Sequence, residues 1–341
     1  MRKYVIKRLL YVVLVALILS LLMYLIYNLI PYDRAATEAR NEIKANPHMH
    51  LDYNELYTKY QIQFGLDGNL FVRYLRWLGV YPYTGTGQFN GLLQGNLGYS
   101  YNFANDVANV LGEPMKNTIF INIFATILAL GITIPLGIRC AVKKGSPMDT
   151  GVQVFTIIGY SLPVFIIAIL FIFLFCSVLG WFPSAGMKTP GSDYTGFRWF
   201  LDRMYYLALP LIVMTFSSLG GMTRYVRASM TEALSMDCVR TARAKGLKEK
   251  VVIYSHAWRN ALIPIVTLVI GWFLGIFSGS IMIENIFGLN GVGKLYIESL
   301  NTSDYEVVLC LQMFYVVISL LGNLVIDLIY GLVDPRIRVS A

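Results

Sequence analysis

Two segments of the chain have residue types and spacings that could do chemistry. Gly288-Leu-Asn-Gly-Val-Gly293-Lys294 matches GxxxxGK, the first part of a phosphate-binding loop, in which backbone N–H groups and a lysine hold phosphates. The second segment runs from Asp237 to Leu247 and places several cations before an isolated glycine. Such a segment can contact a partner protein or anionic lipid headgroups. The three histidines and four cysteines, in contrast, fit no metal motif and no disulfide framework.

The apparent nucleotide motif is incomplete. Leu295 occupies the position where Ser or Thr would bind magnesium, and no buried strand precedes the loop. Its three glycines more plainly allow a tight turn between helices, because glycine adopts backbone conformations closed to other residues. We therefore expect this chain to bind no nucleotide and no other cofactor.

The basic segment predicts a short helix over residues 238–245 that protrudes between two longer helices. Asp237 is a plausible N-cap, and Gly246 suits the left-handed position that ends a helix and reverses the chain. This helix could insert into a cleft of a cytoplasmic partner. Alternatively, it is a solvated amphipathic helix that rests on anionic headgroups. The residue types alone leave both alternatives open.

The elements that must position this segment are membrane helices. Of the 341 residues, 56% are hydrophobic and 14% are charged, and the mean hydropathy is +0.57. Soluble domains carry about 25% charged residues. An uncharged run of about 20 residues spans the hydrocarbon core, and lipid offers its backbone no hydrogen bonds, so each run must be a helix. Six such runs are present: Leu9–Ile30, Thr118–Ile138, Gly151–Trp181, Met204–Met222, Ala261–Ile283 and Val307–Ile326.

The distribution of basic residues predicts that both termini are cytoplasmic. Residues 223–260 contain eight Lys and Arg, whereas residues 284–306 contain one. Cytoplasmic loops collect Lys and Arg, so the net charge of +8 needs no nucleic acid partner. The predicted fold is all-α, with six transmembrane helices and a long first extracellular loop. The predicted regions are 1–30 (cytoplasmic segment and first helix), 31–117 (extracellular loop), 118–333 (five-helix core with the cytoplasmic loop 223–260) and 334–341 (cytoplasmic tail).

Two of these regions are longer than a simple connector or span. The first loop is too long for a connector. Within it, Asp33–Tyr60 is polar and compatible with helix, and Leu70–Val80 is amphipathic. The run Gly151–Trp181 is longer than one span needs. Its Tyr160-Ser-Leu-Pro163 segment predicts a kink or a short flanking helix, since proline interrupts helical hydrogen bonding.

Polar residues within the spans are the candidates for a substrate pathway. Carboxylates are absent from the six runs, and Asp327 lies just beyond the last of them, near the predicted cytoplasmic end of the last helix. This absence disfavours a proton- or sodium-driven carrier. A channel and an intramembrane enzyme are further alternatives, but no catalytic dyad or metal motif lies within the helices. Each polar residue could instead hydrogen-bond between helices. The pathway candidates are Asn122, Tyr160, Ser161, Ser217, Ser278 and Gln312.

Several motifs, in order along the chain, resemble the permease subunits of ABC importers in the dipeptide/oligopeptide/nickel family. Residues Asp237 to Leu247, with Arg240-Thr-Ala-Arg-Ala-Lys-Gly246-Leu, resemble the coupling loop of those permeases. Cys238 stands where the family usually has Tyr, and Asn290 replaces a usual Pro. The other similar stretches are Gly65–Asp67, Gly95–Ser100, Gly180–Gly186, Arg224–Met230, Gly279–Gly293 and Asp334–Arg336.

The resemblance implies a type I importer permease in a bacterial cell membrane. It implies that two related permeases form the pathway, and that one or two cytoplasmic ATPase subunits bind ATP and magnesium. An extracellular binding protein would deliver a peptide, or alternatively nickel or another small solute. The implied ATPase-coupling residues are Asp237, Arg240, Thr241, Ala242, Arg243, Ala244, Lys245, Gly246 and Leu247.

Overall fold

The computed structural model describes residues 2–31 and 33–333, so the predicted tail 334–341 and its Asp334-Pro-Arg motif lie outside the described residues. The described chain is mostly helical. Its only strands there are two-residue segments, β1 (Tyr99–Ser100) and β2 (Asn105–Asp106), which pair antiparallel. The helices are α1 (Arg2–Asn28), α2 (Arg34–Ala45), α3 (Tyr53–Gln63), α4 (Leu70–Leu78), α5 (Val107–Val142), α6 (Pro147–Ser161), α7 (Val164–Phe171), α8 (Gly196–Ser235), α9 (Asp237–Ala244), α10 (Glu249–Val251), α11 (Trp258–Gly275), α12 (Ile281–Ile286), α13 (Val292–Asn301) and α14 (Tyr305–Val333).

The membrane-spanning candidates agree with a multi-pass protein. Among the described residues, four helical stretches are long and apolar enough to cross a bilayer: Val5–Asn28, Val107–Val142, Gly196–Ser235 and Tyr305–Asp327. Two bent pairs raise the number to six if each pair is one span. These pairs are Pro147–Ser161 with Val164–Val178, bent by 102°, and Glu249–Leu262 with Pro264–Gly275, bent by 60°. The count of six and the orientation therefore stay predictions.

The chain divides into two compact units. One unit, which we call the core unit, comprises Glu113–Ile297 and the described part of Leu321–Ala341; the other, the loop unit, comprises Arg2–Gly112 and Glu298–Leu320. The sequence-based regions were drawn differently, with a boundary after residue 30 and another after residue 117.

The core unit is built around α8, which is continuous for 40 residues despite Pro210. Beside it, α6 ends at the Leu162-Pro163 break, as the Tyr160–Pro163 segment predicts, because proline lacks the N–H that would continue the helix. Two π-helical stretches, Ile172–Val178 and Val252–Ala257, continue α7 and α10. The second of them leads without interruption into α11.

The loop unit is a folded structure rather than a connector. Helix α2 forms within the polar stretch Asp33–Tyr60 that predicts helix, and α3 begins in it and continues to Gln63. Helix α4 ends at left-handed Gly79. Arg76 is almost fully buried and bonds bidentately to Asp67 at 2.6 and 3.0 Å. Burial opposes ionisation of Asp67, but hydrogen bonds from Thr84 and Arg76 hold the pKa of this carboxyl below its ordinary value.

Candidate functional site

The predicted short basic helix exists as α9, and one residue separates it from α8. It covers Asp237–Ala244, so it begins and ends one residue earlier than the predicted 238–245. The prediction that Asp237 is the N-cap is wrong. Extended Met236 takes that position, without a side-chain cap, because α9 begins at once after the single-residue break. Asp237 is instead the first helical residue, where its negative charge interacts favourably with the positive end of the helix dipole.

One face of α9 is anchored in the core unit. Val239 and Ala242 are buried, and both belong to a hydrophobic cluster that joins α8, the π-helical stretch and α11. Fully burying a valine side chain contributes about 1.5–3 kcal/mol. The helix is therefore held by its apolar side, while its other side stays free for contacts. Other members of the cluster include Met230, Ala233, Val252, Ala257 and Ala261.

The opposite face of α9 is exposed and basic. Arg240 keeps 71% of its side chain exposed and approaches Asp237 only at 3.5 Å. Lys245 and Leu247 are also exposed, and the Thr241 hydroxyl bonds back to the Asp237 carbonyl at 2.9 Å. This face offers cations and one apolar side chain to whatever lies against it.

Gly246 ends this helix through its backbone conformation alone. Its φ is +74°, in the left-handed region, as the sequence predicts. Among the described residues, no atom outside Gly246 and its two chain neighbours lies within 4 Å of the position where a Cβ would stand. Any substitution therefore meets backbone strain rather than a steric clash.

Arg243 does not extend freely from α9, because it bonds across the Gly246 turn to Glu249. Its Nη2 donates to Glu249 Oε1 at 2.7 Å and its Nε to Oε2 at 3.3 Å. We call this contact the exposed pair, since the two side chains are 44% and 54% exposed. The hydrogen bond from Arg243 lowers the pKa of the Glu249 carboxyl.

A second arginine–carboxylate contact joins α8, in the stretch that precedes α9, to the first turn of α6. Arg227 donates from Nε to Asp149 Oδ1 at 2.6 Å and from Nη2 to Oδ2 at 2.7 Å. We call it the buried pair, because the Asp149 side chain is 1% exposed. The Gly145 backbone N–H and the Gln153 amide also donate to this carboxylate, at 2.9 and 3.1 Å. Every lone-pair region of Asp149 is thus occupied.

Sequence reasoning missed Asp149. Its signal was the Ser146-Pro147-Met-Asp149 segment at the start of α6, where Ser146 is the N-cap, Pro147 fills the first turn and Asp149 follows. This pattern predicts a helix start and an acidic first turn. It cannot predict that the carboxylate meets Arg227, which is 78 residues away in sequence.

The pathway candidates fall into different environments. Asn122 is buried, and its amide donates to the Ile276 and Ser278 carbonyls at 2.9 Å, which ties α5 to the turn after α11. Ser217 bonds within its own helix, to the Met214 carbonyl. Ser161 and Ser278 have exposed side chains, and Gln312 belongs to the loop unit. The pathway roles of these residues stay predictions.

Tyr160 is the pathway candidate that lines a cavity of the core unit. This cavity has a volume of about 580 Å³ and lies between α6 and α8. The side chain of Tyr160 is largely exposed, and the buried pair contributes Arg227 to the same wall. The remaining lining residues are Gln153, Gly221, Arg224, Tyr225 and Ala228.

The glycine loop with the apparent nucleotide motif is occupied by a carboxylate of the protein itself. The N–H groups of Gly293 and Lys294 donate to Glu284 Oε2 at 2.7 and 3.0 Å. Thr118 donates to Oε1 of the same carboxylate at 2.9 Å. These N–H groups would have to bind phosphate in a nucleotide site, and here they hold Glu284 in a buried position.

The loop unit contains a larger, mostly polar cavity of about 980 Å³. On its wall, the Arg34 guanidinium lies 4.2 Å from the Phe64 ring centre and 3.9 Å from that of Tyr101. Arg34 also bonds to Glu306 at 2.8 Å. Stacking and ion pairing thus fix this arginine, so its charge contributes to the structure of the loop unit.

Comparisons with known proteins give a consistent result. Residues 133–339 match the family described as binding-protein-dependent transport system inner membrane component. The chain is 36% identical over 280 residues to the oligopeptide transport system permease protein AppB of Bacillus subtilis, covering 81% of this chain and 83% of AppB. It is 34% identical over 334 residues to the di/tripeptide transport system permease protein DppB of Pseudomonas aeruginosa, covering 94% of each.

Proposed function

Since this chain belongs to the family of binding-protein-dependent transport system inner membrane components, we propose that it is a permease subunit of an ATP-driven importer whose α9 binds the ATPase. It is a multi-pass protein of the bacterial inner membrane. The observation that carries the proposal for α9 is its two-sided construction. Val239 and Ala242 pack one face of α9 into the core unit. Arg240 of α9 and Lys245, the residue that follows it, are exposed.

We propose peptides as the substrate class. AppB and DppB, which align with most of this chain, are named as oligopeptide and di/tripeptide permeases. Nickel or another small solute is the alternative. Uptake of labelled di- to pentapeptides and of nickel by the reconstituted transporter separates the two. Peptide-independent uptake of nickel would contradict the peptide assignment.

The proposal assigns ATP and magnesium to separate ATPase subunits, and the pathway to this chain together with a second, related permease. A binding protein outside the cell delivers the substrate. The occupied glycine loop supports this division, because Glu284 already accepts the N–H groups of Gly293 and Lys294. We expect Lys294→Ala to leave ATP hydrolysis by the assembled complex unchanged, measured as phosphate release at saturating ATP. Lost nucleotide binding in this variant would contradict the assignment.

The ATPase contact is tested by charge reversal on α9. Arg240→Glu and Lys245→Glu should release the ATPase from the purified complex, because both cations are exposed on the proposed contact face. Lys144→Glu is the matched control, since Lys144 is exposed in the short basic loop after α5 and is not part of α9. If all three variants retain the ATPase and the α9 variants lose affinity only for anionic vesicles, α9 is a lipid-binding helix.

The orientation has its own test. With the basic segments in the cytoplasm, single cysteines introduced at Lys144 and Lys248 should resist a membrane-impermeant thiol reagent added to intact cells. Cysteines at Gly191 and Asn301 should react. The four native cysteines are replaced first. Reaction at 248 without reaction at 301 would reverse the orientation and place α9 outside.

A further inference from the structure

The buried pair joins the helix that leads into α9 to the helix that lines the core-unit cavity. We infer that Asp149 and Arg227 are positioning residues, through which α6 and α8 move as one body when the ATPase displaces α9. This inference rests on the proposed function of α9 as the ATPase contact. It adds a route from that contact to the pathway side of the core unit.

The first part of the route is the short, stiff connection from α9 to Arg227. Residues 227 to 235 are continuous helix, and only Met236 separates that helix from α9. Val239 of α9 packs in the same hydrophobic cluster as Met230 and Ala233 of α8. A displacement of α9 therefore acts directly on the end of α8, because packed side chains leave little room for independent movement.

The second part is the contact from Arg227 to α6. The two short hydrogen bonds to Asp149 fix the guanidinium plane against the carboxylate plane. Asp149 is in turn tied to the N-terminus of α6, because the Gly145 N–H and the Gln153 amide donate to the same carboxylate. The carboxylate that Arg227 meets is therefore held in place by the backbone just before α6 and by a side chain of α6 itself.

The third part is a close backbone contact farther along the same two helices. A Cβ on Gly220 of α8 would stand 2.5 Å from the Thr156 carbonyl and 2.6 Å from the Tyr160 Cβ, both on α6. Only glycine allows this approach. The buried pair and the Gly220 contact thus hold α6 at two separate points, which prevents sliding and rotation against α8. Tyr160, at the second point, lines the cavity to which Arg227 also contributes.

The experiment uses the whole transporter in proteoliposomes and measures ATP hydrolysis and substrate uptake in the same preparation. For Asp149→Asn and Arg227→Gln we expect hydrolysis and ATPase binding to persist while uptake per ATP falls about tenfold, a typical size for coupling between sites. Arg227→Lys, which keeps the charge but loses the bidentate geometry, should give an intermediate ratio. A purely structural role predicts that hydrolysis and uptake fall together with an unchanged ratio, and this result would overturn the inference.

A distance measurement in the otherwise unaltered chain keeps the inference testable if these variants do not assemble. Spin labels at Thr150 of α6 and Ala228 of α8, both exposed, report the separation of the two helices. We expect the same distance distribution without nucleotide and with ATP held by a hydrolysis-deficient ATPase. A shift between the two states would show that α6 and α8 move separately. Failure of wild-type complex to retain any ATPase would instead contradict the proposed function, so the two failures are distinguishable.

Discussion

Two arginine–carboxylate pairs involve the region of α9 and differ in their surroundings: one joins α8 to α6 before α9 begins, and the other joins α9 itself to α10. Arg227 and Asp149 meet at 2.6 and 2.7 Å with the carboxylate buried. Arg243 and Glu249 meet at 2.7 and 3.3 Å with both side chains about half exposed. Water screens the second pair and competes for its hydrogen bonds, whereas burial of the Asp149 carboxylate reduces both effects for the first pair. We therefore expect the stability of the fold to depend more on the buried pair than on the exposed pair.

The two pairs also differ in what they connect. The exposed pair closes a turn between residues six positions apart, so the backbone at Gly246 already brings its partners together. The buried pair connects residues 78 positions apart on two long helices. Losing a local contact leaves the chain path unchanged, while losing the long-range contact removes a constraint between elements. The predictions below test this difference, beginning with the largest effect.

The largest effect on stability is expected for Arg227→Ala. It leaves the Asp149 carboxylate buried without its cation, and removing one partner of a buried pair costs about 3–5 kcal/mol. The melting temperature of the purified complex in detergent should fall clearly. Arg224→Ala is the matched control, because Arg224 is an exposed arginine one helical turn earlier on α8. Surface changes of that kind stay within about 0.5 kcal/mol.

A double variant sharpens the first prediction. Asp149→Leu together with Arg227→Leu removes both charges and leaves no unpaired ion. We expect this variant to recover most of the lost melting temperature, since apolar replacement of a buried pair is often neutral for stability. It should not recover the coupling of uptake to ATP hydrolysis, because the directed contact is still missing. Equal melting temperatures for Arg227→Ala and Arg224→Ala would show that the buried pair is not buried in solution.

The next effect concerns the turn that the exposed pair crosses. Gly246→Val forces a β-branched residue toward positive φ, which costs about 1–2 kcal/mol. We expect normal expression with loss of ATPase binding or of coupled transport, because the strain lies at the end of α9. Gly246→Asn should retain function, since asparagine tolerates the left-handed region. Membrane levels of the chain, ATPase retention and uptake are measured together.

Gly191→Val supplies the control for strain itself. Gly191 has φ of +73° and, like Gly246, open space around a Cβ, but it lies between α7 and α8, away from α9. The Gly191→Val variant should lose a similar amount of stability without any change in ATPase binding. If the two valine variants behave alike, the position of Gly246 at the end of α9 has no special importance.

The sequence predicted those features that depend on local pattern. The left-handed Gly246 and the break before Pro163 follow from the conformational limits of single residues, and α9 appeared within one residue of its predicted bounds. The resemblance to a transporter family agrees with the family match of residues 133–339. The conformational features depend on a few neighbouring residues, whereas the resemblance to the family depends on the order of several motifs along the chain.

Features that depend on long-range packing could not be predicted. Asp149 looked like an acidic residue in a first turn, and nothing near it indicates Arg227. Arg243 was named only as an implied ATPase-coupling residue, and the turn brings Glu249 within bonding distance of it. Asp237 was misread as an N-cap because the one-residue break at Met236 has no sequence signal distinct from a longer turn. Glu284, likewise, meets the glycine loop only after α12 and α13 have packed.

The smallest effect is expected for the exposed pair itself, in a double-mutant cycle with Arg243→Ala, Glu249→Ala and the combination. The hydrogen bond from Arg243 lowers the pKa of Glu249 below its ordinary value of 4.5. A lowered pKa means that the interaction stabilises the fold above that value and is lost as the pH falls below it.

At pH 7 the cycle should therefore give a small interaction. It should disappear in about 1 M salt, where the screening length is about 3 Å. The same salt should change the Arg227→Ala effect much less, because the Asp149 side chain is only 1% exposed and buried charges are screened less. A salt-resistant interaction between Arg243 and Glu249, measured as the shift in melting temperature across the cycle, would mean that a bound ATPase or lipid covers this pair. The two pairs would then be equivalent in the assembled transporter.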